Sequence, residues 1–281
     1  MIDRNDLDDY FMIPYTCNIG TIYPIKIQEY SSFRKLADKY ITPSNTMLKN
    51  LYKVPIDKNI FDYYVESAKK FRNDINKLYD IKNKFKYEDL NEKDKQDFNN
   101  LNLTLNAYES GVLESYSLDE MIKLFEIIFK KQFVFMVDDT FRSTDNEVRI
   151  DRDNYYQLRE IVMYLNILHE IPTSNTKAGN FAIQNAIKHT FGDSSSSLSS
   201  ICSVVKCNAN ISDEELINYS YYRLMYDFSV INRQHGNMFA FMLRSQGCAD
   251  ATVSSLDDEI DLHKNPYDSI FNKHNKSTKL R

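Results

Sequence analysis

Four cysteines and five histidines are among the residues of this chain whose types could hold a metal ion or act as nucleophiles. Cys202 and Cys207 are separated by four residues, which is wider than the common C-x-x-C knuckle, and only Cys248 and His235 could complete a set of four ligands. A metal-dependent enzyme built on these four residues is therefore one alternative. The simpler interpretation is two small thiols packed on a short helix, so no metal site and no cofactor are predicted.

Acidic residues offer a second candidate for chemistry, because Asp151 and Asp153 form a D-x-D pair that could present carboxylates to Mg²⁺. The pair directly precedes a predicted helix, where acidic groups offset the helix dipole, and this favours a capping role. The 6 glycines are too far apart to build a phosphate-binding loop, and no G-x-S-x-G elbow or His pair at i, i+4 occurs. We predict no catalytic residues and expect a protein that is not an enzyme.

Charge and hydropathy exclude further classes of protein. The chain has 40 acidic and 35 basic residues and a net charge of -5, so no overall field favours nucleic acid. The first ten residues are acidic, unlike a signal peptide, and no apolar run approaches the roughly 20 residues that span a bilayer. We expect a soluble, cytoplasmic protein that binds neither nucleic acid nor membrane, with reduced cysteines.

Hydrophobic periodicity predicts the elements that must position any site. The class is mainly α with a small β component, an α+β arrangement with a helical C-terminal part. The β component is a short strand within residues 21–27 and a central β-hairpin over residues 132–150. Helices are predicted over residues 33–40, 45–52, 59–85, 118–129, 154–169, 175–189, 198–206 and 212–231, with a further helical piece between Gly236 and Gly247. Ser31 or Ser32 is the expected N-cap of the first helix, and capping boxes at residues 117–120 and 212–215 begin the helices over 118–129 and 212–231.

Composition changes after Pro172 and predicts a boundary there. Residues 1–171 are expected to form an N-terminal α+β domain and residues 172–270 a C-terminal helical domain. The last residues, 271–281, carry basic but no acidic side chains and are expected to form a flexible tail.

A tyrosine-rich helix near residue 225 has apolar side chains on both of its sides, so it cannot expose either side without leaving an apolar patch. It is therefore either a central core helix or a helix that binds a partner with one side. Tyrosine and arginine are the residues that protein interfaces favour. The candidate partner-binding residues are Tyr219, Tyr222, Arg223, Tyr226, Phe239 and Phe241.

Several segments resemble, in order, the tail assembly chaperones and tail morphogenesis proteins of bacteriophages that infect low-GC Gram-positive bacteria. The similar segments are IPYTCNIGTIYPIKIQEYSSF, EMIKLFEIIFKKQFVFMVDD, IDRDNYYQLREIVMYLNILHE, ISDEELINYSYYRLMYDFSVI and AFMLRSQGC. The best matches are residues 154–161 and the tyrosine-rich residues 219–228.

The resemblance implies a non-enzymatic role in the cytoplasm of an infected bacterial host. Such proteins keep the long helical tape-measure protein soluble and help tail-tube subunits assemble around it. The implied partners are the tape-measure and tail-tube proteins, with self-association as a further option. A second hypothesis is a structural virion component, such as a neck, baseplate or tail-associated protein.

Overall fold

The computed structural model describes residues 4–44, 59–84, 90–109, 116–170, 172–174, 176–191, 197–248, 250–255 and 258–268. Within these residues the chain is mainly helical and has two small antiparallel sheets. The predicted fold class, mainly α with a small β component, is confirmed.

Ten helices lie in the described part of the chain. They are α1 (Asp6–Tyr10), α2 (Ile27–Tyr40), α3 (Ile60–Lys84), α4 (Glu92–Glu109), α5 (Leu118–Phe129), α6 (Tyr155–Leu165), α7 (Lys177–Phe191), α8 (Leu198–Ala209), α9 (Asp213–Ile217) and α10 (Tyr221–Ser245). The long periodic helix predicted over residues 59–85 is confirmed as α3, and the capping-box helix over residues 118–129 is confirmed as α5.

The strands form two separate sheets. Strands β1 (Tyr15–Cys17) and β2 (Gly20–Ile22) pair as a hairpin in which Cys17 lies opposite Gly20. Strands β3 (Phe133–Phe135), β4 (Phe141–Ser143) and β5 (Arg149–Ile150) form a three-stranded sheet in chain order.

The chain divides into two compact units. One unit comprises Met1–Lys53, Ile127–Lys130 and Tyr156–Arg281, and the other comprises Val54–Glu126 and Lys131–Tyr155. Because a division by packing does not test which part folds alone, the boundary expected near residue 171 stays a prediction.

The second of these units has an aromatic core. Phe141 is fully buried at the centre of its sheet, and its ring lies edge-on to Phe61 at 6.0 Å and to Phe125 at 5.0 Å between centroids. Phe61 also contacts Tyr155 at 5.3 Å. Offset and edge-to-face rings of this kind add to the free energy gained from burying their apolar surface.

The first unit is held by a junction between the start of α2 and the start of α10. The backbone N–H of Ile27 donates to the carbonyl of Tyr219 at 2.8 Å, and Lys26 and Ser220 form an isolated antiparallel bridge. The Lys26 ammonium also donates to the Asn218 side chain at 2.8 Å. Two helices that begin almost 200 residues apart in the chain are therefore joined at their first turns.

The start of α2 differs from the prediction. Ser31 and Ser32, expected as the N-cap, lie inside the helix, which has Lys26 as its N-cap. The predicted strand over residues 21–27 is present only as far as Ile22. Pro24 lacks the N–H that a further ladder bond would need, so the chain leaves the sheet there and begins the helix early.

The helix predicted over residues 212–231 is two helices. Ser212 and Glu215 do form the predicted capping box, but α9 ends at Ile217. The Ser220 side chain then caps α10 by accepting the N–H of Arg223. Gly236 was also expected to begin a separate piece, but α10 continues through it to Ser245. The carbonyl of Tyr219 accepts the N–H of Ile27 instead of an N–H from the next helical turn, which accounts for the break between α9 and α10.

The central β segment has one strand more than the predicted hairpin. Residues 140–146 were expected to form only the connection, but Phe141–Ser143 is the middle strand β4. Its side chains alternate between the buried Phe141 and Ser143 and the half-buried Arg142, which is the period of a strand. The predicted helix over residues 45–52 and the predicted tail over residues 271–281 lie outside the described residues.

Replacing Phe141 with alanine should lower the free energy of unfolding by about 3–5 kcal/mol, because it removes a buried ring and leaves a cavity among Phe61, Phe125 and Phe135. Urea unfolding followed by circular dichroism measures this. The matched control is Val137→Ala in the β3–β4 turn, where the side chain is fully exposed and the change should stay within about 0.5 kcal/mol. Equal effects from both substitutions would contradict the aromatic core.

Candidate functional site

Four of the six candidate partner-binding residues lie in or just before the first turns of α10, and they pack within their own unit. Tyr219 and Tyr222 are buried, while Arg223 and Tyr226 are half-buried. The Arg223 guanidinium lies 3.9 Å from the centroid of the Tyr219 ring and donates to its hydroxyl at 3.1 Å. These cation–π and hydrogen-bond contacts occupy the side chains that were expected to meet a partner.

The same helical turns are closed by the N-terminal helix α1. The Tyr10 ring lies edge-on to Tyr226 at 5.5 Å, and the Tyr10 hydroxyl donates to Asp227 at 3.2 Å. Burial raises the pKa of Tyr222 well above its usual range, and the negative charges of Asp6 and Asp9 raise it further. The Tyr222 phenol therefore stays neutral at ordinary pH, as expected for a side chain packed in this position.

The other two candidates, Phe239 and Phe241, lie on the last turns of α10 and face solvent, with 61% and 58% of their surface exposed. Met238 and Met242, which the sequence interpretation did not include, are exposed to the same degree. At about 100° per residue, the four side chains span an arc of about 160° on one side of the helix. We call these four residues the Met–Phe patch.

The opposite side of the same turns is covered by residues 250–255 and by Asp258, which we call the covering segment. The Asn237 side chain accepts the N–H of Ser254 at 2.9 Å and donates to its carbonyl at 2.8 Å. Arg244 donates to the carbonyl of Ala251 at 2.8 Å, and Arg233 donates to the carbonyl of Asp258. These three α10 side chains lie within about 60° of one another around the helix axis, so the covering segment runs along one side and leaves the Met–Phe patch open.

A buried polar cluster next to α1 also includes His263. Asp9 is only 3% exposed, and its carboxylate lies 2.8 Å from Arg4 and 3.5 Å from the ring of His263. The His263 ring stacks on Tyr164 with 3.9 Å between centroids. Burial and the charge of Asp9 raise the pKa of Tyr164 to about 12. The paired charges offset the cost of burying the Asp9 carboxylate.

The residues considered for metal binding and acid–base chemistry are dispersed. Cys202 is half-buried against the core that Ile201 and Val205 form on α8, whereas Cys207 and Cys248 are exposed. Among the described residues, no group of three or more His, Cys, Asp or Glu side chains is arranged to hold a metal ion. Asp151 accepts the backbone N–H groups of Asp153 and Asn154, which fixes the turn before α6.

The geometry of the site is not supported by a match to any known protein. No protein-family model, no curated protein and no solved structure matches the chain. No helix in the described ranges combines the length and apolar composition needed to cross a membrane.

Replacing Asn237 with alanine should release the covering segment while α10 stays helical. The substitution removes two side-chain hydrogen bonds to Ser254, each worth about 1 kcal/mol, so amide exchange in residues 250–255 should rise at least about tenfold. Native-state hydrogen exchange with mass spectrometry measures it. Gln234→Ala, an exposed position one turn earlier on α10, is the control and should leave this exchange unchanged. Unchanged exchange in the Asn237 variant would contradict the proposed attachment.

His169 should make the chain less stable in mild acid. Burial lowers the pKa of His169 below 6.5, and the neighbouring His263 and Arg34 lower it further. Between pH 6.5 and the lower pKa of the folded chain, His169 is protonated in the unfolded chain and neutral in the folded chain. The free energy of unfolding therefore decreases as the pH is lowered through this range. Urea unfolding at pH values from 7.5 to 5 should show a smaller decline for His169→Asn than for the native chain. Identical pH profiles would show that the imidazole is not responsible.

Proposed function

We propose that this chain is a phage tail assembly chaperone, which binds a helical segment of the tape-measure protein, keeps that protein soluble and assists tail-tube assembly in the host cytoplasm. The proposal combines the resemblance of residues 154–161 and 219–228 to such proteins with one structural observation. That observation is the Met–Phe patch on the last turns of α10.

The patch has the composition of a binding surface. Four large apolar side chains, each more than half exposed, lie side by side on one helix face. Scattered single apolar residues are ordinary on a protein surface, whereas a contiguous group marks a place where another apolar surface binds. Among the described residues, the far side of the helix is covered by residues 250–255 and Asp258, and the patch is the face of these turns that remains for a partner.

Methionine and phenylalanine favour a helical partner of variable sequence. Methionine is unbranched and polarisable, so Met238 and Met242 adapt to differently shaped side chains. Phe239 and Phe241 offer flat rings that bury much apolar area. Surfaces of this kind bind the apolar stripe of an amphipathic helix, and a long tape-measure protein is expected to repeat such stripes. The binding set is thus Phe239 and Phe241 with the two methionines, without the packed tyrosines.

The double substitution Phe239→Ser with Phe241→Ser should weaken binding to the tape-measure protein encoded in the same genome at least about tenfold, because buried aromatic residues dominate interface energies. Co-expression followed by affinity purification and titration measures it. The control pair is Leu103→Ser with Phe181→Ser, whose side chains are equally exposed but lie on α4 and α7. Equal loss in both variants, or no binding by the native chain, would contradict the proposal.

Mass spectrometry of purified virions separates the assembly factor from the structural alternative. A chaperone should be missing from finished particles although it is present in the infected cell. A stoichiometric amount in the particle would replace the chaperone assignment with that of a virion component. Purification of the chain as a stable dimer through Met238 and Phe239 would instead assign the patch to a second copy.

A further inference from the structure

A cleft beside the first half of α10 supports an inference that does not depend on the proposed function. The cleft has a volume of about 420 Å³ and lies between α1, α10 and residues 258–260. This volume falls in the range of sites that bind small ligands and peptide side chains, roughly 300–1,000 Å³. All of the described residues that line it belong to one compact unit.

One wall of the cleft is aromatic and apolar. Tyr10 lies edge-on to Phe11 at 5.4 Å and to Tyr226 at 5.5 Å, so three rings form a continuous surface. Leu7 and Phe11 are 58% and 63% exposed, which is unusual for such large apolar side chains on neighbouring turns. Faces of aromatic rings attract cations as well as apolar groups.

The rim of the cleft is acidic. The carboxylates of Asp6, Asp258 and Glu259 line it and are exposed. Among the described lining residues the single cation is Arg233, whose guanidinium donates to the carbonyls of Ser255 and Asp258. Three carboxylates against one guanidinium give these described residues a formal charge of -2.

The spacing of these carboxylates decides which cation fits. No group of three or more His, Cys, Asp or Glu side chains in the described residues is close enough to hold a metal ion. Carboxylates spread around an aromatic wall instead suit an extended organic cation, whose charged end reaches the rim while its carbon chain lies against the rings. Lysine and arginine side chains have this shape, and the cleft has room for more than one side chain.

We propose that this cleft binds a cationic peptide segment of a partner protein, in which a Lys or Arg side chain lies next to a large apolar residue. The apolar residue packs on Leu7 and Phe11, and the cation lies among the carboxylates of Asp6, Asp258 and Glu259. The site is distinct from the Met–Phe patch, because Tyr226 and Val230 line the cleft about three turns before Phe239.

The test is a nuclear magnetic resonance titration of the full ¹⁵N-labelled chain with the peptide acetyl-Gly-Leu-Lys-Leu-Lys-Gly-amide. Saturable shifts are expected at the amides of Leu7, Phe11 and Glu259. The same peptide with both lysines replaced by glutamine should bind at least about fivefold more weakly, because exposed ion pairs each contribute modestly and here several act together.

Matched charge variants separate the cleft from overall charge. The triple substitution Asp6→Asn, Asp258→Asn and Glu259→Gln should weaken binding of the lysine peptide at least about fivefold. The control triple Asp80→Asn, Glu160→Gln and Asp250→Asn makes the same change in net charge at exposed positions elsewhere and should leave the affinity unchanged. The substituted carboxylates are exposed in both variants, so both should keep the circular dichroism of the native chain.

A further variant tests the aromatic wall. Phe11→Ala keeps all three carboxylates and should still weaken binding of the lysine peptide severalfold. Equal weakening by both triple variants would reduce the effect to net charge and overturn the site. Shifts centred on Phe239 and Phe241, or the lack of any saturable shift at millimolar peptide, would overturn it as well.

Discussion

The hydrogen bond from the Ile27 N–H to the Tyr219 carbonyl determines much of the first unit. With the Lys26–Ser220 bridge it places the first turn of α2 against the first turn of α10. Tyr30, one turn into α2, then stacks on Tyr221, the first residue of α10, with 4.1 Å between their ring centroids. Because α10 begins at this junction, the junction also determines the position of the helix within the first unit. The positions of the cleft and the Met–Phe patch on α10 follow from it.

Local signals predicted the elements that local interactions stabilise. The apolar stripe of residues 59–85 gave α3, and the Ser212–Glu215 capping box is present as expected. The errors arose where a distant residue decides the outcome. The end of α9 depends on the bond between Tyr219 and Ile27, and β4 depends on Phe141 having a buried place among the rings of Phe61 and Phe125. Such contacts have no local periodicity to reveal them.

The same contrast between local signals and distant contacts applies to the candidate site. Apolar positions around the first half of α10 could be predicted from helical spacing, and Phe239 and Phe241 were among the candidate partner-binding residues. Spacing alone does not say which side of a helix another segment will cover. The Asn237–Ser254 pair decides that question for the last turns, and α1 decides it for the first turns, where Tyr222 and Tyr226 pack. A pattern of apolar residues on all sides therefore separates into core and surface only in the folded chain.

Residues 250–255 and Asp258 attach to α10 through their own main-chain atoms. Arg233, Asn237 and Arg244 bond to the carbonyls of Asp258, Ser254 and Ala251 and to one backbone N–H, groups that almost every amino acid supplies. The sequence of the covering segment is thus under little constraint from these bonds, apart from the exclusion of proline at residue 254. Over evolutionary time its side chains can diverge while the three residues on the helix preserve its course.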